Sequence, residues 1–180
     1  MLSCVVRAGV GADCNSQGET VMADLFISRL EWTGAVNGPT RDPITFSRDL
    51  SVSVDALTLP MSSAPGYRGD PARANPEQLF VASLSACQAL TYLYLAAKNG
   101  IAVVAYTDDA EGRLGLAAGH MRMSRVTLRP SITLEAGANE ARARELVTKA
   151  HEGCFIANSV NTPIEIVATF VFADAAAPSR

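Results

Sequence analysis

Between Ile44 and Val54 apolar and polar positions alternate. Ile44, Phe46, Leu50, Val52 and Val54 share one side, and Thr45, Ser47, Asp49, Ser51 and Ser53 the other. That period predicts a half-buried strand, and a single residue, Arg48, breaks its apolar face. Upstream, "DLFISRLEWTG" (24–34) mixes aromatic and β-branched residues and stops at a glycine, which also reads as a strand. "NGPTRDP" (37–43) between them has turn chemistry. Residues 60–76 form a Pro-, Gly- and Ser-rich loop.

The period then changes. Asn75 suits a helix N-cap, Pro76 the first helical position and Glu77 the first turn, while Gly100 stands where a C-terminal cap belongs. These signals predict a helix from about Pro76 to Asn99, roughly 36 Å long. After it, "IAVVAYTDDAEGRLGLAA" reads as two strands joined by a turn near Asp109–Gly112. "HMRMSRVTLRPSITLE" reads as one or two strands, interrupted near Pro130. Asn139 opens a second helix, "EARARELVTKAHE", with Glu145 and Lys149 at a favourable four-residue spacing and Gly153 ending it. "IEIVATFVFA" (164–173) is the final strand. The order predicts an α+β domain in which an antiparallel sheet packs around a long central helix.

No residue from Leu79 to Ala97 is charged. Nineteen such residues approach the length of a membrane span. Their Ala, Ser, Thr and Gln content, the half-buried strands on both sides and the lack of a charged flank that would set an orientation argue instead for a helix buried in a core. One domain seldom surrounds so long a helix unaided, so a homodimer with a large apolar interface is expected.

Composition narrows the class. The chain has 180 residues, a formal charge of −3 and 18% charged residues, which gives one ordinary domain and no basic footprint for nucleic acid. Its four cysteines, Cys4, Cys14, Cys87 and Cys154, are sparse and lack any CxxC pair, so reduced thiols in a cytoplasmic protein are the natural reading. Residues 1–21 lack the basic start and continuous apolar core of a signal peptide. They read as a disordered leader, with translation from Met22 as the other possibility, and Cys4 and Cys14 as without a role. Residues 22–174 form the single domain and 175–180 a tail.

The candidate chemistry centres on Cys87, in the middle of the uncharged helix. A buried free cysteine is commonly inert packing, and apolar burial would raise its pKa. An arginine nearby favours the thiolate, and a carboxylate gripping the same guanidinium would orient it. Arg48 and Glu77 fit those roles. Cys154, three residues after His151, reads either as small apolar packing or as a second, resolving thiol. Zinc held by Cys87, Cys154, His151 and His120 is a third possibility, on weak spacing.

"ANPEQLFVASLSACQALTYLYLAA" and "AHEGCFIANS" together resemble the two cysteine-bearing segments of the OsmC/Ohr family of thiol-dependent organic hydroperoxide reductases. The resemblance spans about residues 24–173. It implies an intertwined homodimer, a peroxidatic Cys87, a resolving Cys154, and Glu77 as the carboxylate partner of an arginine. It implies no cofactor, an organic hydroperoxide as substrate and an external dithiol, typically lipoyl-type, as reductant. Arg41, Arg48 and Arg68 all precede the helix at plausible positions. Arg41 matches the Ohr branch and Arg68 the OsmC branch, while the strand reading favours Arg48. Gln88 stands where Ohr-type members usually carry an aromatic residue. Leu84, Phe80 and Phe155 are expected to line an apolar pocket.

Overall fold

The computed structural model describes residues 12–14, 20–22, 24–117 and 119–174. Most of the expected leader and the whole tail therefore lie outside the described residues, Cys4 among them. Within the leader segment, β1 (Ala12–Cys14) pairs antiparallel with β2 (Thr20–Met22). The chain continues through β3 (Arg29–Glu31), β4 (Leu50–Val54) and β5 (Leu57–Met61) to the long helix α1 (Pro76–Lys98). Four strands follow: β6 (Val103–Asp108), β7 (Glu111–Ala117), β8 (His120–Leu128) and β9 (Pro130–Leu134). Then come α2 (Glu140–Glu152), α3 (Phe155–Asn158), β10 (Ile164–Ile166) and β11 (Thr169–Phe172).

α1 begins and ends where the sequence says it should. The Asn75 side chain accepts the Gln78 N–H at 2.9 Å, and the Gln78 side chain accepts the Asn75 N–H at 3.0 Å, a reciprocal cap. Beyond Lys98 the chain turns through Gly100 at φ +70°, a conformation that costs glycine little.

The expected strand from Ile44 to Val54 is a correction: only Leu50–Val54 is strand. Asp42 decides this, because its carboxylate accepts the Ile44 N–H at 2.8 Å and the Thr45 hydroxyl at 3.1 Å and folds residues 43–46 into a turn. Likewise only Arg29–Glu31 of the first expected strand is extended, and Thr33–Asn37 winds into a 3-10 turn.

The C-terminal strands form two three-stranded sheets, ordered β6–β9–β11 and β7–β8–β10. Strands β6 and β7, the two strands expected to be joined by a turn, belong to different sheets. The Asp108 carboxylate fixes this corner, accepting the Ser85 hydroxyl and the Arg129 N–H at 2.6 Å each. The chain changes sheets again at Arg129, and once more at Val167–Ala168, which splits the single final strand of the sequence reading. Pairing is mixed, since β10 and β11 run parallel to β8 and β9. The intervening α2 and α3 supply the long crossover that a parallel pair needs.

α1 serves two cores. Its C-terminal half, through Tyr92 and Ala96, packs with Leu146 and Ala150 of α2 and with Ile132 and Leu134 of β9. Its N-terminal half, through Leu84, packs on Val126 and Leu128 of β8. Each such large side chain contributes about 1.5–3 kcal/mol by leaving water. The N-terminal sheet, ordered β3–β4–β5, is different: Met61 is its only buried residue.

Candidate functional site: a thiol pair

The α2–α3 corner brings Cys154 to Cys87. Gly153 ends α2 close against α1, where a Cβ on it would lie 3.6 Å from Thr91 Cγ2. Cys154 then caps α3, its sulfur accepting the Ala157 N–H at 3.5 Å. Both thiols are free; Cys154 is 1% exposed and Cys87 half-buried. Cys154 and Cys87 stand close enough to act on each other's acidity, with Cys154 in the donor role and the Cys87 sulfur in the acceptor role.

Their acidities diverge. Burial is the strongest single influence on Cys87 and works against its ionisation. The Cys154 thiol, the Ile156 and Phe155 N–H groups and the Thr91 hydroxyl together outweigh it, so Cys87 is held below the ordinary thiol pKa. Cys154 is pushed up to about 11, first by burial and then by the hydrogen bond it gives to Cys87. The Thr91 hydroxyl has one proton, which it gives to the Cys87 carbonyl at 2.8 Å. Serving the sulfur as well requires it to rotate when the thiolate forms. Chemically, this is a polarised pair: one sulfur disposed to be a nucleophile, the other to remain a proton-bearing thiol.

The charged residues expected beside the thiols lie elsewhere. Arg48 stands in the loop before β4, not on a strand face. Its guanidinium donates to the Phe46 carbonyl at 2.8 Å and the Pro43 carbonyl at 2.7 Å, and its carbon lies 4.3 Å from the Phe46 ring centroid. Among the described residues Arg41 and Arg68 have no side-chain partner, and Glu77 makes no ion pair. Arg68 has φ 64°, a left-handed conformation that is unusual for a non-glycine residue. Its loop is tied to the sheet by the Ser62 hydroxyl, which accepts the Asp70 N–H at 3.1 Å.

Glu77 precedes Cys87 by ten positions on one helix, about 15 Å along its axis. The two do not meet within one chain. Glu77 instead lines a groove of about 640 Å³ with Val81 and Ala82 of α1, Ala64 of the Arg68 loop, and Leu114 and Met123 of the sheet. Leu84, expected as a pocket wall, is fully buried under β8, and Phe155 is exposed at the start of α3. Gln88 is 2% exposed and turns toward α2. The four candidate zinc ligands do not converge: among the described residues no group of three or more His, Cys, Asp or Glu could hold an ion. Sequence reasoning missed Thr91, one helical turn beyond Cys87, and the two α3 N–H groups. The four-residue spacing could have flagged the first.

The fold and the thiol pair define a class. A family model described as OsmC-like protein matches residues 69–169, more than half the chain. The chain belongs to the OsmC-like family. It is similar to an OsmC-like protein of unknown function from Vibrio cholerae, with 30% identity and a TM-score of 0.73 over 83% of this chain and 100% of that one. An organic hydroperoxide resistance protein from Elizabethkingia anophelis shares the fold, with 22% identity, a TM-score of 0.63, and 84% and 98% coverage. So does a putative organic hydroperoxide resistance protein from Vibrio cholerae with captopril bound in one of its active sites, at 22% identity, a TM-score of 0.58, and 83% and 94% coverage. No curated protein matches the chain.

Proposed function

We propose that this protein is a thiol peroxidase that reduces organic hydroperoxides to alcohols. The observation that carries the reading is that the α2–α3 corner seats the buried Cys154 against α1 beside Cys87, where the surroundings push the two thiols toward opposite acidities. The Cys87 thiolate attacks the terminal oxygen of the hydroperoxide, the O–O bond breaks, and the departing alkoxide takes a proton to become the alcohol. Cys87 is left as a sulfenic acid. Cys154 then displaces water from that sulfur to give the Cys87–Cys154 disulfide. An external dithiol, for which a lipoyl-type compound suits the chemistry, reduces the disulfide and becomes a disulfide itself. Such a cycle fits a reducing cytoplasm, where both thiols would be restored.

A second copy completes the site in this reading. Leu90 and Tyr94, on the same helix as Cys87, are 70% and 63% exposed, and Phe26 beside the uncovered N-terminal sheet is 88% exposed. A three-stranded sheet with one buried residue needs a partner surface. Since Glu77 lies about 15 Å from Cys87 on its own helix, a carboxylate at the thiols would come from that second copy. Arg68 is the guanidinium we assign to Glu77, because its side chain has no partner among the described residues and its loop shares the Glu77 groove, whereas Arg48 is bound to its own loop. Sedimentation of the reduced chain should give a dimer, and Leu90→Glu should shift it to monomer. A wild-type monomer at micromolar concentration would sink the two-copy site.

The peroxidase reading itself is tested by adding one equivalent of cumene hydroperoxide to the reduced chain, followed by intact mass and peptide mapping. The expected product is a Cys87–Cys154 disulfide with one peroxide consumed. Unreacted peroxide with Cys87 still a free thiol overturns it.

A further inference from the structure

Next to Cys87, Gln88 faces away from the thiols. Its side-chain amide nitrogen donates to the Val147 carbonyl of α2 at 3.1 Å, across the α1–α2 contact. Its amide oxygen is buried and finds no hydrogen-bond partner among the described residues. That combination is informative. A stranded buried acceptor costs stability, and an apolar residue of the same length would fill the space without that cost. The amide is therefore a poor choice for stability and a good one for geometry. The carbonyl it grips lies in the helix that runs straight into Gly153 and Cys154. The same two helices meet again at Thr91 and Gly153, beside the thiols.

We propose that Gln88 is a positioning residue. By tying α2 to α1 at Val147, it fixes where the Cys154 segment stands relative to Cys87 and so sets how readily the disulfide closes. This rests on the thiol-pair reading above but not on the peroxide. Closure needs the two Cα atoms within roughly 4.4–6.8 Å, so a small slide of α2 along α1 moves the pair in or out of reach. Gln88 touches neither sulfur in this role; it acts through the helix that carries one of them.

The test reads the disulfide without any hydroperoxide. The full chain is equilibrated with mixtures of oxidised and reduced dithiothreitol at fixed pH, then trapped by thiol alkylation and weighed. In the forward reaction Cys87 and Cys154 lose two electrons and two protons, and the cyclic dithiothreitol disulfide gains them as two thiols. Gln88→Met, equal in length and lacking the amide, should weaken closure about tenfold, equivalent to about 30 mV, and slow it as well. Should Gln88→Met fail to fold, Gln88→Glu supplies an independent readout. Protonated, its acid donates to Val147 as the amide does; ionised, it cannot. Its closure relative to wild type at the same pH should fall as pH rises, which a purely space-filling side chain would not produce. If wild type closes and Gln88→Met matches it in equilibrium and rate, or Gln88→Glu tracks wild type at every pH, the positioning role is overturned and the thiol pair stands. If wild type forms no Cys87–Cys154 disulfide, the thiol-pair reading falls and takes this role with it. A chain that closes normally here yet ignores hydroperoxide refutes only the peroxidase.

Discussion

The middle of α1 and the α2–α3 corner carry the same side chain and give it opposite chemistry. Cys87 sits on a long, well-capped helix and is half-buried, while Cys154 sits at a turn and is almost fully enclosed. Burial opposes ionisation at both and is the largest influence at both. The difference lies in the direction of hydrogen bonds. Four groups, Cys154, Ile156, Phe155 and Thr91, favour the Cys87 anion, whereas Cys154, although its sulfur accepts the Ala157 N–H, also acts as donor toward Cys87 and so keeps its proton. A thiol's reactivity here is decided by who donates to whom more than by depth. The corner therefore has two tasks in the proposed cycle: it supplies the second sulfur, and it supplies three of the four donors that make the first one acidic.

The largest effect should come from separating those tasks at Cys154. Cys154→Ala should abolish dithiol-driven turnover while leaving a single stoichiometric reaction, after which excess peroxide drives Cys87 to sulfinic acid. It also removes a donor, so the Cys87 pKa rises, less thiolate is present at neutral pH, and the single reaction slows there and recovers as pH increases. Cys154→Ser keeps a hydroxyl donor and should show the lost turnover with a smaller alkaline shift. A stopped-flow pH profile of peroxide consumption separates the two. Identical profiles for Ala and Ser would show that Cys154 does not tune Cys87.

A smaller effect should come from the arginines outside both regions. Arg68→Ala should lower peroxide turnover by about 10² or more, the scale of losing one electrostatic stabiliser. Arg48→Ala should cost less than about tenfold in rate and instead lower stability by about 1–2 kcal/mol, because its two carbonyl bonds hold a loop together. Turnover and urea midpoints measured on each variant decide the assignment. The reverse ranking would return the role to Arg48.

How much of this could be read from the chain follows from the range of the forces involved. Asn75, Pro76, Gln78 and Gly100 fix α1 locally, and its observed bounds depart from the expected ones by a single residue at the C-terminal end. Asn139 and Gly153 do the same for α2, although its ion pairs join Arg142 to Glu145 and Arg144 to Glu140 rather than Glu145 to Lys149. The alternation around Arg48 misled because one side chain, Asp42, offered the backbone a better local arrangement than a ladder. Strand partners were out of reach for a different reason. Nothing in "IEIVATFVFA" says that it breaks at Val167–Ala168 or lies parallel to β8 and β9, since both depend on where α2 and α3 deliver the chain. The two cysteines were visible as a motif. Their proton balance was not, because it depends on Phe155, Ile156 and Ala157 of α3, whose N–H groups are free only at a helix start.

The smallest effect tests that balance from the α1 side alone. Thr91→Val keeps shape and removes the hydroxyl that donates to the Cys87 carbonyl, 2.8 Å away, and that lowers the Cys87 pKa. With three donors left, the thiolate survives but forms at somewhat higher pH. The rate with hydroperoxide should fall roughly threefold at neutral pH, the size expected for one net hydrogen bond. It should match wild type once the solution is alkaline enough to ionise both. The sign follows from the thiol's charge: losing a donor destabilises the anion, so the titration moves up and activity is lost on the acidic side first. Because Thr91 belongs to α1 and not to the corner, the Cys87–Cys154 disulfide should still close as fast as in wild type after a single peroxide turnover. A uniform fall at every pH would mean that Thr91 supports the packing of Gly153 rather than the charge on Cys87.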